Sequence, residues 1–257
     1  MLKDKIAVVT GGAAGIGAGI CKVLAGYGAY VTAMDMNVDA AEKTVAEIKA
    51  AGGDGVAVEL DITDGNWVRK SMAAAAGKNG RIDILVNAAG IAIQAPLANA
   101  SEEMWDKTMN VNAKGMFLCC QAAAGYMKKQ RCGKIVNISS RAGKIGEANN
   151  GIYCASKAAV NLLTQVFALE LAEYGINVNA ICPSLVNTEM IANAAIRFSE
   201  EKGVSSEAFL EEWVREIPLK RMGEPWEIGE FTAFLCSDKA AFLTGSAYNF
   251  DGGVVRV

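Results

Sequence analysis

The chain has 257 residues, 52% hydrophobic and 21% charged, enough for one large core and read as a single domain. A net charge of −3 with both signs interspersed leaves no basic footprint, so neither nucleic acid nor membrane is expected as a partner. Zero histidines exclude Ser-His-Asp hydrolysis, Cys-His nucleophiles and histidine-ligated metals, and leave proton transfer to Tyr, Lys, Asp, Glu or Cys.

Short apolar runs alternate with helical patterns along the chain. A buried strand over 5–10 leads through a glycine loop into a helix over 16–27, then a strand over 30–34 and a helix over 40–50. Gly52-Gly53 stops that helix before a strand over 56–60. Further strands are expected at 82–86, 134–138, 177–181 and 247–250, with long helices over 102–129 and 152–173. The strands are continuously apolar, as in a parallel sheet covered on both faces, so the expected fold is α/β, a Rossmann-type doubly wound sheet of about seven strands. The charged, helix-prone stretch after Ser184 breaks the rhythm. It follows a strand's C-terminal end, and its 187–216 portion is read as a helical lid over a substrate.

Met1-Leu2-Lys3-Asp4-Lys5 runs directly into Ile6-Ala7-Val8-Val9 without a signal-peptide pattern, and the longest mostly apolar stretch, read as 115–127, is too short and too broken to span a bilayer. A cytoplasmic location is therefore expected. The seven cysteines are scattered without a C-x-x-C pair and read as reduced core residues, and no metal site is expected.

After the first strand, Thr10-Gly11-Gly12-Ala13-Ala14-Gly15-Ile16-Gly17 opens a helix. Glycines let a backbone turn tightly against a pyrophosphate, and the helix N-terminus offers it unpaired N–H groups. The second strand ends at Asp35, placed to accept from both adenosine ribose hydroxyls and to repel a 2′-phosphate; the alternative is a helix cap. No Arg or Lys lies in the loop or in Met36-Asn37-Val38, so NAD is expected over NADP. Asp61, followed by Ile62, is placed to face the adenine edge.

Tyr153 and Lys157 stand four residues apart on one helical face, Ser140 follows the strand ending at Ile138, and Asn112 lies on the preceding helix. Together these resemble the Asn–Ser–Tyr–Lys tetrad of the short-chain dehydrogenase/reductase family. The resemblance runs through the glycine loop, Asn87-Ala88-Ala89-Gly90, Pro183-Ser184-Leu185-Val186-Asn187-Thr188 and Asp251-Gly252-Gly253. Ala88 and Ser184 depart from the usual Asn and Gly, outside the tetrad. The resemblance implies a secondary alcohol–ketone oxidoreductase, with Asn87, Gly90 and Pro183 at the cofactor and with Val186 and Thr188 holding its carboxamide. It also implies that Asn112 holds a water linking Lys157 to solvent, and that the protein is a homotetramer built through its two long helices.

The chemistry asks for a base within reach of a hydroxyl. A free tyrosine titrates near 10, so acting near pH 7 requires about 4 kcal/mol of anion stabilisation, for which Lys157 is the nearby cation. Ser140 would donate to the substrate oxygen.

The 139–153 stretch resembles the polyol dehydrogenases of the family, acting on sorbitol, galactitol or sorbitol phosphate. Glu147 and Asn149 either bind substrate hydroxyls or cap the helix beginning near Ile152. Arg141 suits a substrate phosphate or carboxylate, or else makes a surface ion pair, and Gln94 is a further pocket residue. A small polyhydroxy substrate is the leading expectation. The alternatives are a 3-oxoacyl-thioester reductase, disfavoured by Asp35, and a non-catalytic nucleotide-binding scaffold, disfavoured by the intact tetrad.

Overall fold

The structure is a computed structural model that describes residues 1–77 and 80–255, without the side chain of Glu201. Its first half runs β1 (Ile6–Thr10), α1 (Gly15–Gly26), β2 (Tyr30–Asp35), α2 (Val38–Ala50), β3 (Asp54–Glu59), α3 (Gly65–Ala76) and β4 (Ile84–Asn87). There follow α4 (Glu102–Met109), α5 (Met116–Gln130), β5 (Gly133–Ile138), α6 (Gly151–Leu171) and β6 (Ile176–Pro183). The chain continues with α7 (Glu189–Lys202), α8 (Ser206–Glu216), α9 (Pro225–Leu235) and β7 (Ala247–Phe250).

The seven strands form one parallel sheet in the order β3-β2-β1-β4-β5-β6-β7. Both faces are covered, which is why the strands lack polar alternation. Ala7 and Val9 of β1 point into a core shared with Ile20 and Leu24 of α1, Val45 of α2 and Ile228 of α9. Val8, between them, points to the other face, where Met72 of α3, Cys119 and Met127 of α5 and Val160 of α6 pack. The chain turns from one half of the sheet to the other between β1 and β4, so a crevice opens there at the strands' C-terminal edge.

The expected helix over 102–129 is two helices. Between α4 and α5 the chain widens into a π-helical turn, Asn110–Gly115, which changes the aim of the residues it carries. Gly115 sits where any Cβ would lie 2.6 Å from Ile62, so the turn closes tightly on the segment after β3. The 187–216 stretch folds as α7 and α8, joined through Phe198, Phe209 and Trp213, with ring centroids 4.7–5.8 Å apart.

Two further expectations need correcting. The 24-residue run Gly151–Tyr174, mean hydropathy 1.3, is long and apolar enough to cross a bilayer, so 115–127 is not the longest apolar stretch; here α6 packs along β6. Cys132 is exposed and Cys154 half-buried, so the cysteines are not all core residues.

Candidate active site

The crevice begins with the β1–α1 loop. Gly11 has φ +70°, and a Cβ on it would lie 2.6 Å from the Ala89 nitrogen, so only glycine lets this loop close against the end of β4. The α1 N-cap, Ala14, supplies no side-chain cap and the first turn holds no acid, so its leading N–H groups remain open to an anion. Gly11, Gly15, Ile16, Gly17, Asp35, Asp61, Ile62 and Gly90 line a groove of about 420 Å³. The Asp35 carboxylate accepts from Ala13 N at 3.2 Å and Asn37 N at 3.0 Å, which fixes it beside the loop. It is not the cap of α2. Asn37 is, accepting from Ala40 N at 3.1 Å. Asp61 is pinned by the Thr63 N–H and hydroxyl, both at 2.8 Å. A dinucleotide fits these residues: glycines where a Cβ would intrude, an uncapped helix start for phosphate, and a fixed carboxylate for ribose.

Asn87 departs from its expected place. Its side chain turns into the core, donating to Asn137 Oδ1 at 2.8 Å and to Cys120 Sγ at 3.2 Å, and it does not line the groove. As the last residue of β4 it follows the strand's alternation, and that parity points it inward.

Tyr153 and Lys157 lie one turn apart on α6, with the Lys157 ammonium 5.6 Å from the Tyr153 ring centroid. Lys157 is buried and donates to the Ile138 carbonyl at 2.9 Å, tying α6 to the end of β5. Gly143 permits this approach, since a Cβ there would meet the Lys157 carbonyl carbon at 2.7 Å. Ser140 follows β5, accepts from Ala142 N at 3.1 Å and hydrogen-bonds Tyr153.

The expected depression of the phenol is not produced by the chain's own groups. Desolvation pushes Tyr153 up to about 12, opposed by the Ser140 hydrogen bond, and burial lowers Lys157 to about 8.

Asn112 stands in the π-helical turn rather than on a regular helix. Its Oδ1 accepts from Ile91 N and its Nδ2 donates to Ile91 O, both at 2.9 Å, with a further bond to Ser156 Oγ at 3.0 Å. Its side chain thus clamps the loop after β4 onto α6. Ser156, which passes its own hydroxyl to Tyr153 O at 2.8 Å, and Ser139, which donates to Lys157 O at 3.1 Å, complete this frame. Sequence reading missed both, because serines one residue from the expected catalytic positions carry no spacing signal of their own.

Beyond Ser140 and Tyr153 opens a pocket of about 630 Å³, walled by Arg141, Glu147, Asn150, Pro183, Val186 and Thr188 and roofed by α7 and α8. Arg141 Nε donates to Glu147 Oε1 at 2.9 Å and Asn150 Nδ2 to Glu147 Oε2 at 2.9 Å. Asn149 is exposed at φ +61° and lies outside this lining, where its neighbour Asn150 stands instead. Neither Glu147 nor Asn149 caps α6, whose N-cap is Asn150 without a side-chain bond. Gln94 lines the pocket as expected and accepts from Arg197 of α7, which sequence reading had not singled out.

A family model described as enoyl-(acyl carrier protein) reductase matches residues 11–255. A short-chain type dehydrogenase/reductase from Mycobacterium ulcerans superposes at a TM-score of 0.90 with 32% identity, covering 98% of this chain and 90% of that one.

The chain belongs to the short-chain dehydrogenase/reductase family.

As a member it is an oxidoreductase of alcohol- and ketone-type substrates that binds a nicotinamide cofactor. It is 38% identical over 252 residues to a 2,5-dichloro-2,5-cyclohexadiene-1,4-diol dehydrogenase of Sphingobium indicum, covering 98% of this chain and 96% of that one. An NAD-dependent glycerol dehydrogenase of Listeria innocua is also 38% identical over 252 residues, with coverage of 98% and 94%. A 3-oxoacyl-acyl-carrier-protein reductase of Thermotoga maritima is 37% identical over 254 residues, covering 99% of both chains. The structure of actinorhodin polyketide ketoreductase with NADPH matches at a TM-score of 0.95 and 31% identity, covering 99% of this chain and 98% of that one.

Proposed function

We propose that the protein is an NAD-dependent dehydrogenase interconverting a secondary alcohol and a ketone on a small polyhydroxy compound, with Tyr153 as the acid–base. The observation that carries this is the convergence of Ser140, Tyr153 and Lys157 where the nucleotide groove meets the pocket. A bound oxidised nicotinamide supplies the hydride acceptor and a positive charge. Tyr153 takes the hydroxyl proton as the carbonyl forms, Ser140 Oγ donates to the oxygen, and Lys157 adds its charge beside the phenol.

NAD over NADP is supported by the charges lining the groove. Asp35, Asp61 and Glu189 are acidic and no cation lines the groove among the described residues, so a 2′-phosphate would meet repulsion from these carboxylates. The polyhydroxy class is supported by two relatives, one named for a cyclohexadiene diol and one for glycerol. The relative named as a 3-oxoacyl reductase keeps that activity as the second reading. A homotetrameric assembly is proposed on the exposed apolar face of α6, where Leu162, Val166 and Leu169 are 63%, 42% and 81% exposed.

The test is NADH formation over a panel of polyols, polyol phosphates and hydroxy acids, with Tyr153→Phe beside the wild type. Turnover is expected to vanish in the variant while NADH affinity stays within about twofold. Comparable rates in the two proteins would remove Tyr153 from its role.

A further inference from the structure

The pocket beyond Tyr153 carries a charge arrangement that oxidation of a neutral alcohol does not require. Three charged side chains line it, Arg141, Glu147 and Arg197, for one net positive charge. Glu147 is engaged at both oxygens, by Arg141 and by Asn150, so it works as a clamp on its neighbours. Arg141 spends only Nε on that clamp. Its two terminal nitrogens donate to no described atom, and the side chain is 20% exposed on the pocket wall. A guanidinium held by Nε with its end fork unspent presents the donor pair that fits a carboxylate or phosphate.

On the roof of the same pocket, Arg197 leaves the exposed face of α7 and donates to the Gln94 side-chain oxygen, joining the roof to the loop after β4. Its guanidinium lies 5.1 Å from the Phe198 ring centroid. A neutral amide oxygen is a weaker partner for a guanidinium than an anion is, so an anion entering the pocket would draw Arg197 inward.

We propose that the substrate carries an anionic group, carboxylate or phosphate, bound between Arg141 on the pocket wall and Arg197 on the roof. Glu147 and Asn150 hold Arg141 in place as positioning residues. The proposal rests on the reading of this pocket as the substrate site and names the substrate class more narrowly than that reading does.

Trp213 lines the same pocket and supplies a binding readout independent of turnover. Tryptophan fluorescence, to which Trp213 contributes from the pocket, is followed while gluconate, inorganic phosphate or sorbitol is added to the NAD-loaded Tyr153→Phe protein, which is expected to bind without turnover. At least one anion is expected to saturate at a concentration about tenfold or more below that of sorbitol. Arg141→Gln and Arg197→Gln should each weaken that anion about tenfold. Arg141→Lys, which retains the charge, covers the case in which the glutamine variant fails to fold. Arg215→Gln, at an outward ion pair on α8, serves as the unaffected control. Tighter binding of gluconate assigns a carboxylate, and tighter binding of phosphate assigns a phosphate. Sorbitol binding as tightly as both anions, no saturable response to either anion, or indifference to both arginine changes overturns the proposal. Failure of the dehydrogenase reading shows separately, as anion binding without NADH formation from any alcohol.

Discussion

Asp35 and Lys157 show how single side chains set the conditions for the whole site. Asp35 is held by two backbone N–H groups at the groove, where a second ribose substituent would be recognised or refused. Asp35→Ala removes both an acceptor and a repulsion, so the ratio of kcat/KM for NAD to that for NADP should fall by about tenfold or more. An unchanged ratio would show that discrimination lies elsewhere. Lys157 enters the fold at a cost. Burial lowers it from 10.5 to about 8, so below pH 8 the folded chain carries a charge that the unfolded chain hydrates more easily, at about 3 kcal/mol. Between about pH 8 and 10.5 the folded lysine is neutral while the unfolded one is still protonated, and this cost fades as pH rises. Tyr153 acts in the opposite sense: raised to about 12, it disfavours ionisation in the fold, so stability falls from pH 10 upward. Lys157→Met is therefore expected to raise Tm at pH 7, less the lost bond to Ile138, with a gain that shrinks by pH 10. An equal gain at both pH values would mean that buried charge is not the cause. At this scale the sequence was legible where spacing carries chemistry, as in Y-x-x-x-K. It was not legible where the outcome depends on which way a side chain turns. Asn87 points into the core by strand parity, and Asn149 gives way to Asn150 through a left-handed backbone angle that no motif announces.

Helix contacts decide how firmly the nucleotide loop is held. Gly19 of α1 meets α9 so closely that a Cβ would lie 2.6 Å from Pro225 Cβ and 2.7 Å from its carbonyl carbon. Backbone cannot yield as a flexible side chain can, so Gly19→Ala should destabilise by about 1–3 kcal/mol through overpacking. Gly26, with nothing within 4 Å of its missing Cβ, is the contrasting site. There alanine should be neutral or stabilise by up to about 1 kcal/mol. Denaturant midpoints compare the two, and a loss at Gly26 equal to that at Gly19 would assign the effect to backbone propensity rather than contact. The strands and most helices were readable from apolar runs and from stop signals such as Gly52-Gly53. The break at Asn110–Gly115 was not, because a π-helical turn leaves the hydrophobic period nearly intact while shifting the residues after it.

Across the whole molecule, strand order places every expected catalytic segment on one edge of the sheet, and continuous apolar strands made that architecture readable in advance. Assembly is less readable, since an apolar helical face serves a core and an interface equally well. Met116, Cys119 and Cys120 prove to be core, whereas Leu162, Val166 and Leu169 stay open to solvent on the helix that bears Tyr153. The proposed tetramer predicts that Leu169→Asp lowers the mass seen in light scattering, and an unchanged mass would move the interface elsewhere.

The two hollows share a partition. Ile16, Gly90, Ile91, Thr188, Met190 and Asn193 belong to the nucleotide groove and to the pocket beyond it at once. Thr188 stands at the root of α7, with its methyl 3.2 Å from the Cβ position of Gly15 in the phosphate loop. A change of side chain along this partition reshapes both hollows together, so preference for a new alcohol cannot be tuned there without disturbing the seat of the coenzyme.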